Sequence, residues 1–138
     1  MATKTATAAQ STSPPFLNVN GTVTRNVQYS LGGVTLSAGD VIQMVRVPAG
    51  AVINDMTIAI SSSVQSYTIT SIGDDGDADR YFTSQSLVLV QAVRMSVGTG
   101  FGYSYSAEDT IDITIGTVTS GTAANADIRM ILTYTNMP

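Results

Sequence analysis

Four carboxylates fall within the six residues from Asp74 to Asp79, and Arg80 follows at once. Asp75, Asp77 and Asp79 alternate as the oxygen ligands of a calcium loop do. Carboxylates this close repel one another unless a cation or Arg80 intervenes, so a hard-cation site is one chemistry open to this stretch. The helical calcium loop also needs a glycine at its sixth place and a bidentate glutamate at its twelfth. Counted from Asp75, those places hold Arg80 and Ser86. The stretch is therefore not that motif. A looser oxygen site at Asp75, Asp77 and Asp79 remains. The plainer reading is a solvated turn between two strands, partly neutralised by Arg80, because Asp and Gly are turn formers. No cofactor is expected.

Glu108 and Asp109 are the other adjacent acids. Acid/base catalysis by two carboxylates needs a pair facing one cleft. Neighbours in a strand point apart, so these two read as the entry to the strand that follows. The chain has no His and no Cys. It thus lacks the usual general base, the commonest transition-metal ligand, disulfides and thiolate sites. No nucleophile motif is recognisable, and an enzyme is not expected. Phe101, Tyr103 and Tyr105 follow the glycine-rich loop from Ser96 to Gly102. Alternating aromatics on a strand face stack on a sugar or anchor a protein interface. Phe101 reads as core; Tyr103 and Tyr105 are interface candidates.

The elements that must position these residues are strands. The centre of the chain is Gly39 to Ile60, read as two strands joined by a tight turn at Val47-Pro48-Ala49-Gly50, a hairpin. In the second, Met56, Ile58 and Ile60 face one way and Asp55, Thr57 and Ala59 the other, the period-two pattern of a strand with one buried face. The first is apolar on both sides, with Val41, Val45 and Val47 against Ile42 and Met44, which predicts either cover on both faces or a strand that meets a partner. Asn20-Gly21 predicts a hairpin between Phe16–Asn20 and Thr22–Tyr29. Leu31 to Leu36 reads as a turn and brief strand. Tyr67 to Ile72 is rich in strand formers. Tyr81 to Thr83 reads as a short strand, and Leu87 to Val93 as a central or interface strand. Ile111, Ile113 and Ile115 alternate with Asp112 and Thr114. Ile128, Met130, Leu132 and Tyr134 share one face of the last strand. Eight or nine strands without a helical pattern predict an all-β, two-sheet antiparallel sandwich, a jelly roll or related Greek key.

The length of 138 residues fits one domain, here residues 16–138. Residues 1–15 are low-complexity Ala, Thr and Ser ending in Pro14-Pro15, and predict a flexible or extended N-terminal arm. Pro14, Pro15 and Phe16 are interface candidates if that arm lies across a neighbouring subunit. Charged residues are only 12% of the chain and Lys4 is the single lysine. Such a surface fits an ordinary Thr-rich β-protein; because it loses little side-chain entropy against a partner, it fits life in an assembly as well. Apolar strands with few nearby charges point weakly the same way. The net charge of −4 and five scattered arginines argue against nucleic acid. No apolar run approaches the roughly 20 residues of a membrane helix, and the N-terminus lacks the apolar core of a secretory signal.

Taken in order, GDVIQMVRVPAGAVINDMTIAI, SIGDDGDADRY, SAEDTIDITIG and ADIRMILTYTN resemble the small structural proteins encoded near the major capsid gene of tailed bacteriophages. The likeness runs from Gly39 to Thr135 and lies in the order of the motifs. In size and character the chain is similar to jelly-roll cement proteins of podophages, that of a Bordetella phage among them. The resemblance implies a capsid cement (decoration) protein made in the host cytoplasm and carried on the outer surface of the virion. It implies major capsid protein as partner, a homodimer or other homo-oligomer, and no catalytic residues. The alternative is a head- or tail-fibre domain binding host glycan through Tyr103, Tyr105 and the acidic stretch.

Overall fold

The computed structural model describes residues 1–6, 21–32, 34–60, 67–87, 92–95, 100–118 and 127–137. They form nine strands: β1 (Thr3–Thr5), β2 (Gly21–Ser30), β3 (Val41–Val47), β4 (Ala51–Ile60), β5 (Tyr67–Asp74), β6 (Asp77–Leu87), β7 (Ala92–Arg94), β8 (Asp109–Val118) and β9 (Asp127–Asn136). The predicted arm residues Pro14 and Pro15, and Phe16 with them, lie outside the described residues.

Two sheets face each other, with strand orders β1-β3-β8-β5-β6 and β2-β9-β4-β7. The pairing has a simple origin. Antiparallel ladders join β2 to β9, β3 to β8, β4 to β7 and β5 to β6. The chain is thus one long hairpin with its tip between β5 and β6. Rolling that hairpin brings β4 against β9 and β5 against β8, which closes the two sheets. This is the jelly roll.

The core between the sheets is built by alternation. Ile111, Ile113 and Ile115 of β8 face Ile128, Met130, Leu132 and Tyr134 of β9 across the sandwich, all fully buried. Each such side chain stabilises the fold by about 1.5–3 kcal/mol relative to exposure. The mixed pattern of β3 has a different cause from the predicted two-sided cover. A register shift between Gln43 and Val45 inserts one residue, so Ile42 and Met44 before it, and Val45 and Val47 after it, are all buried. A bulge reverses the inward parity of a strand. The same happens in β4, where a shift between Ile53 and Asp55 moves the inward set from Ala51 and Ile53 to Met56, Ile58 and Ile60.

Other local expectations are corrected by tertiary contacts. β3 and β4 exist as read but do not pair as a hairpin; Val47 to Gly50 carries the chain from one sheet to the other. Gly50 has φ of 84° and lies against the backbone of Met137, which leaves no room for a side chain. Gly21 is no turn residue: it opens β2 and pairs with Asn136. Val34 to Leu36 is not a strand; the Val34 N–H instead closes a turn onto the Leu31 carbonyl at 3.0 Å. The run from Leu87 to Val93 is not one strand, since Leu87 ends β6 in one sheet and Ala92 begins β7 in the other. The short strand read at Tyr81 is the middle of β6. The first residues of the chain are extended: β1 lies parallel to β3 at the edge of the five-stranded sheet.

Candidate functional site

The acidic stretch forms the tip of the rolled hairpin, and it is tighter than a loop. Only Asp75 and Gly76 lie between β5 and β6. Asp74 ends β5 on the same side as Ile72, two residues earlier, and both are buried. Its carboxylate organises the turn. Oδ1 accepts the N–H of Gly76 at 3.1 Å and of Asp77 at 2.9 Å. The Arg80 guanidinium donates twice, from Nε to Oδ2 at 2.6 Å and from Nη2 to Oδ1 at 3.1 Å. Burial opposes ionisation of Asp74, but the Arg80 and Tyr105 hydrogen bonds outweigh it and hold the carboxyl below the usual carboxylate range. Arg80 is correspondingly raised, above all by its hydrogen bond to Asp74.

The aromatic segment closes on this pair. The Tyr105 hydroxyl donates to Oδ2 of Asp74 at 2.9 Å and meets the Tyr81 hydroxyl at 2.6 Å. With the Tyr105 proton given to Asp74, Tyr81 must be the donor in the second bond. Burial pushes both phenols well above their ordinary range. The Tyr103 ring packs edge-on against Tyr105, with centroids 5.0 Å apart, and the Arg80 guanidinium carbon sits 3.6 Å from the Tyr103 centroid, a cation–π contact. Gly100 lies so close to the Tyr81 ring that a Cβ would overlap it. Residues 103–105 extend the four-stranded sheet beside β4: the Tyr105 N–H donates to the Ala51 carbonyl and the Ile53 N–H to that of Tyr103.

The predicted residues therefore divide. Tyr105 is 3% exposed and its hydroxyl is spent inside the chain, so it anchors an internal clamp rather than an open surface. Phe101, expected in the core, is 58% exposed on the turn before that clamp. Asp75 and Asp79 are exposed and Asp77 is partly so. Asp79 is raised by its hydrogen bond with Asp77. Among the described residues no group of three or more His, Cys, Asp or Glu is placed to hold a metal ion.

Sequence reading passed over Asp74 as one acid among four; its parity with Ile72 was the available signal. It also passed over the outer face of the five-stranded sheet. There Asp74, Asp75 and Asp112 line a cavity of about 290 Å³ with Thr3, Val41, Gln43, Ala78 and Thr114. A second hollow beside it is lined by Arg46, Asp75, Glu108 and Asp109. Glu108 is paired with Arg46 at 2.6 Å. Burial, together with Asp75, Asp109 and Asp74 nearby, pushes the Asp112 carboxyl up to about 6. Burial, with Asp75 and Asp74 nearby, raises Asp109. This face favours positive charge and disfavours anions.

The rolled two-sheet hairpin defines the class as a jelly-roll β-sandwich, and solved structures share it. The chain is similar to a chain of the capsid of Ralstonia phage GP4, at TM-score 0.78 and 14% identity over 99% of each. It is similar to a chain of the Cyanophage Pam1 capsid asymmetric unit, at TM-score 0.66 and 17% identity over 94% of each. It is also similar to a chain in the acidic stable capsid structure of Helicobacter pylori bacteriophage KHP30, at TM-score 0.59 and 10% identity over 85% of this chain and 90% of that one. At these identities the likeness is one of fold. No protein-family profile matches the chain, and no curated protein sequence matches it.

Proposed function

We propose that this chain is a structural virion protein, a cement (decoration) protein on the outside of a tailed-phage capsid. It bridges and stabilises major capsid protein subunits and acts as a homodimer or other homo-oligomer. The observation that carries this reading is the end-to-end likeness to a chain of the Ralstonia phage GP4 capsid. The resemblance of the motif order to small structural proteins encoded near the major capsid gene of tailed bacteriophages, and of the chain's size and character to a podophage cement protein, supports it as well. So does the chemistry. The polar machinery at the hairpin tip is turned inward to hold the fold, and the low charge of the chain leaves a surface that orders cheaply against a neighbour. Many weak contacts repeated over a shell sum through multivalency. The glycan-binding alternative loses its aromatic platform, because Tyr105 is buried and Tyr103 carries Arg80 on one ring face.

Co-sedimentation of the purified protein with expanded phage heads that lack it tests the proposal. Saturable binding at a fixed ratio to capsid subunits is the expected result. A protein that stays folded yet remains in the supernatant at all ratios would overturn it.

A further inference from the structure

β1 stands outside the rolled hairpin. It is the one parallel ladder among the described strands, pairing Thr3 with Val41, Lys4 with Ile42 and Thr5 with Gln43. The next strand in the chain, β2, lies at an edge of the other sheet. The slot that receives β1 is specific. The Val41 N–H donates to the Ala2 carbonyl and the Ala6 N–H to the Gln43 carbonyl, both at 2.8 Å. The Ala2 N–H donates to Oδ1 of Asp40 at 2.9 Å, while Oδ2 of the same carboxylate takes the Ser37 N–H at 2.9 Å. Asp40 is 4% exposed, and these backbone donors hold its carboxyl below the usual range. Ala6 is buried at the far end.

The segment that fills the slot brings few apolar atoms. Its side chains are Ala, Thr, Lys, Thr and Ala, and only Ala6 is fully buried. Its docking rests on backbone hydrogen bonds and the Asp40 carboxylate, offset by the entropy of ordering a chain terminus. Edge elements held in this way open without unfolding the core. Residues 7–20 join the segment to β2, and fourteen residues reach at most roughly 50 Å when extended. The same five residues from another copy would make every one of these contacts.

We propose that Ala2–Ala6 is an exchangeable strand, and that the β3 edge with Asp40 at its end accepts the N-terminal strand of a second copy of this chain. Exchange conserves contacts, so it is governed by how close copies are held, as in domain swapping. That copies lie side by side in the virion rests on the capsid reading; the exchange itself does not.

The absence of native cysteine makes the test clean. Thr3 and Val41 are register partners and both line the outer-face cavity. The full-length Thr3→Cys/Val41→Cys double variant, oxidised when dilute, should close an intramolecular disulfide; failure to close would refute the β1–β3 register and the proposal with it. Thr3→Cys and Val41→Cys single variants, purified separately, are then mixed at high concentration and oxidised. The expected result is a disulfide-linked dimer of the two variants, formed at least tenfold more than between Thr3→Cys and Thr22→Cys, a control on exposed β2. Linking no greater than the control, under conditions where the double variant closes fully, would overturn the proposal. Because no phage head is present, failure here leaves the capsid reading standing, and failure of shell binding leaves strand exchange standing.

Discussion

The Tyr105 hydroxyl donates to Oδ2 of Asp74 at 2.9 Å, across 31 positions of sequence. That bond ties the segment beside β4 to the tip of the β5–β6 hairpin, and so joins one sheet to the other. It also replaces part of the hydration that Asp74 loses on burial. Tyr105→Phe would leave Tyr81 with a buried hydroxyl and no acceptor, and Asp74 with one donor fewer. The expected cost is about 1–3 kcal/mol, seen as a fall in Tm of roughly 4 °C per kcal/mol. A thermal melt unchanged by the substitution would contradict this account of the clamp.

Arg80 neutralises the same carboxylate, whose side chain is 1% exposed. Removing one partner of a buried pair costs about 3–5 kcal/mol because the other charge is stranded. Arg80→Ala should therefore destabilise strongly in the native background and much less when Asp74→Asn is already present. A double-mutant cycle in urea measures the coupling. Additive effects would show that the pair is not the energetic centre of the tip.

Gly100 permits the close approach of the Tyr81 ring, and a Cβ there meets the ring itself rather than a flexible chain end. Gly100→Ala should destabilise by roughly 1–3 kcal/mol through overpacking. Gly102, with φ of 75° and open space around its Cβ position, should cost about 1 kcal/mol through backbone strain alone. Comparing the two denaturation midpoints checks the ordering.

The pH profile follows from carboxylates shifted in opposite directions. Asp112 is pushed up to about 6 in the fold, so its ionisation works against the folded state. Its penalty is absent below the ordinary carboxylate range, grows as pH rises from there to about 6, and is complete above that. Asp112→Asn should stabilise the fold at pH 7 by on the order of 1–2 kcal/mol after solvent screening, read as a higher Tm, and leave Tm unchanged near pH 3, about a unit below the ordinary carboxylate value. Asp74 and Asp40 are lowered, so the stability they supply is present above the usual carboxylate range and disappears as pH falls through their folded values. Acid unfolding should accordingly be steep at the low end. Melts of parent and variant across pH 3 to 8 (a window spanning the carboxylate range) test both signs.

Calcium should leave Tm unmoved, since Asp75, Asp77 and Asp79 project from a turn already closed by Asp74 and Arg80. An upward shift in calcium that is abolished by Asp75→Asn with Asp77→Asn would restore the metal reading.

Alternation carried much of this fold. Ile111, Ile113 and Ile115, and the row from Ile128 to Tyr134, declare their buried face in their spacing, because a strand's side-chain period is a property of the local backbone. The turn chemistry of the Asp and Gly residues after Ile72 was equally local. Strand composition together with turn spacing was enough to imply an all-β sandwich.

Pairing was not local, and the sequence could not supply it. β3 and β4 look like a hairpin but lie in different sheets, because rolling the long hairpin places β9 and β8 where each would otherwise meet the other. Bulges near Met44 and Asn54 shift the inward parity in mid-strand, a change visible only against a partner's register. Composition shows four neighbouring aspartates alike. Only the packed tip decides that Asp74 is buried under Tyr105 and Arg80 while Asp75 meets solvent, since burial and hydrogen-bond partners come from residues distant in the chain. The N-terminal residues carry no apolar pattern at all. Their place beside β3 is settled by backbone hydrogen bonds and the Asp40 carboxylate, groups whose availability depends on where the sheet ends in space.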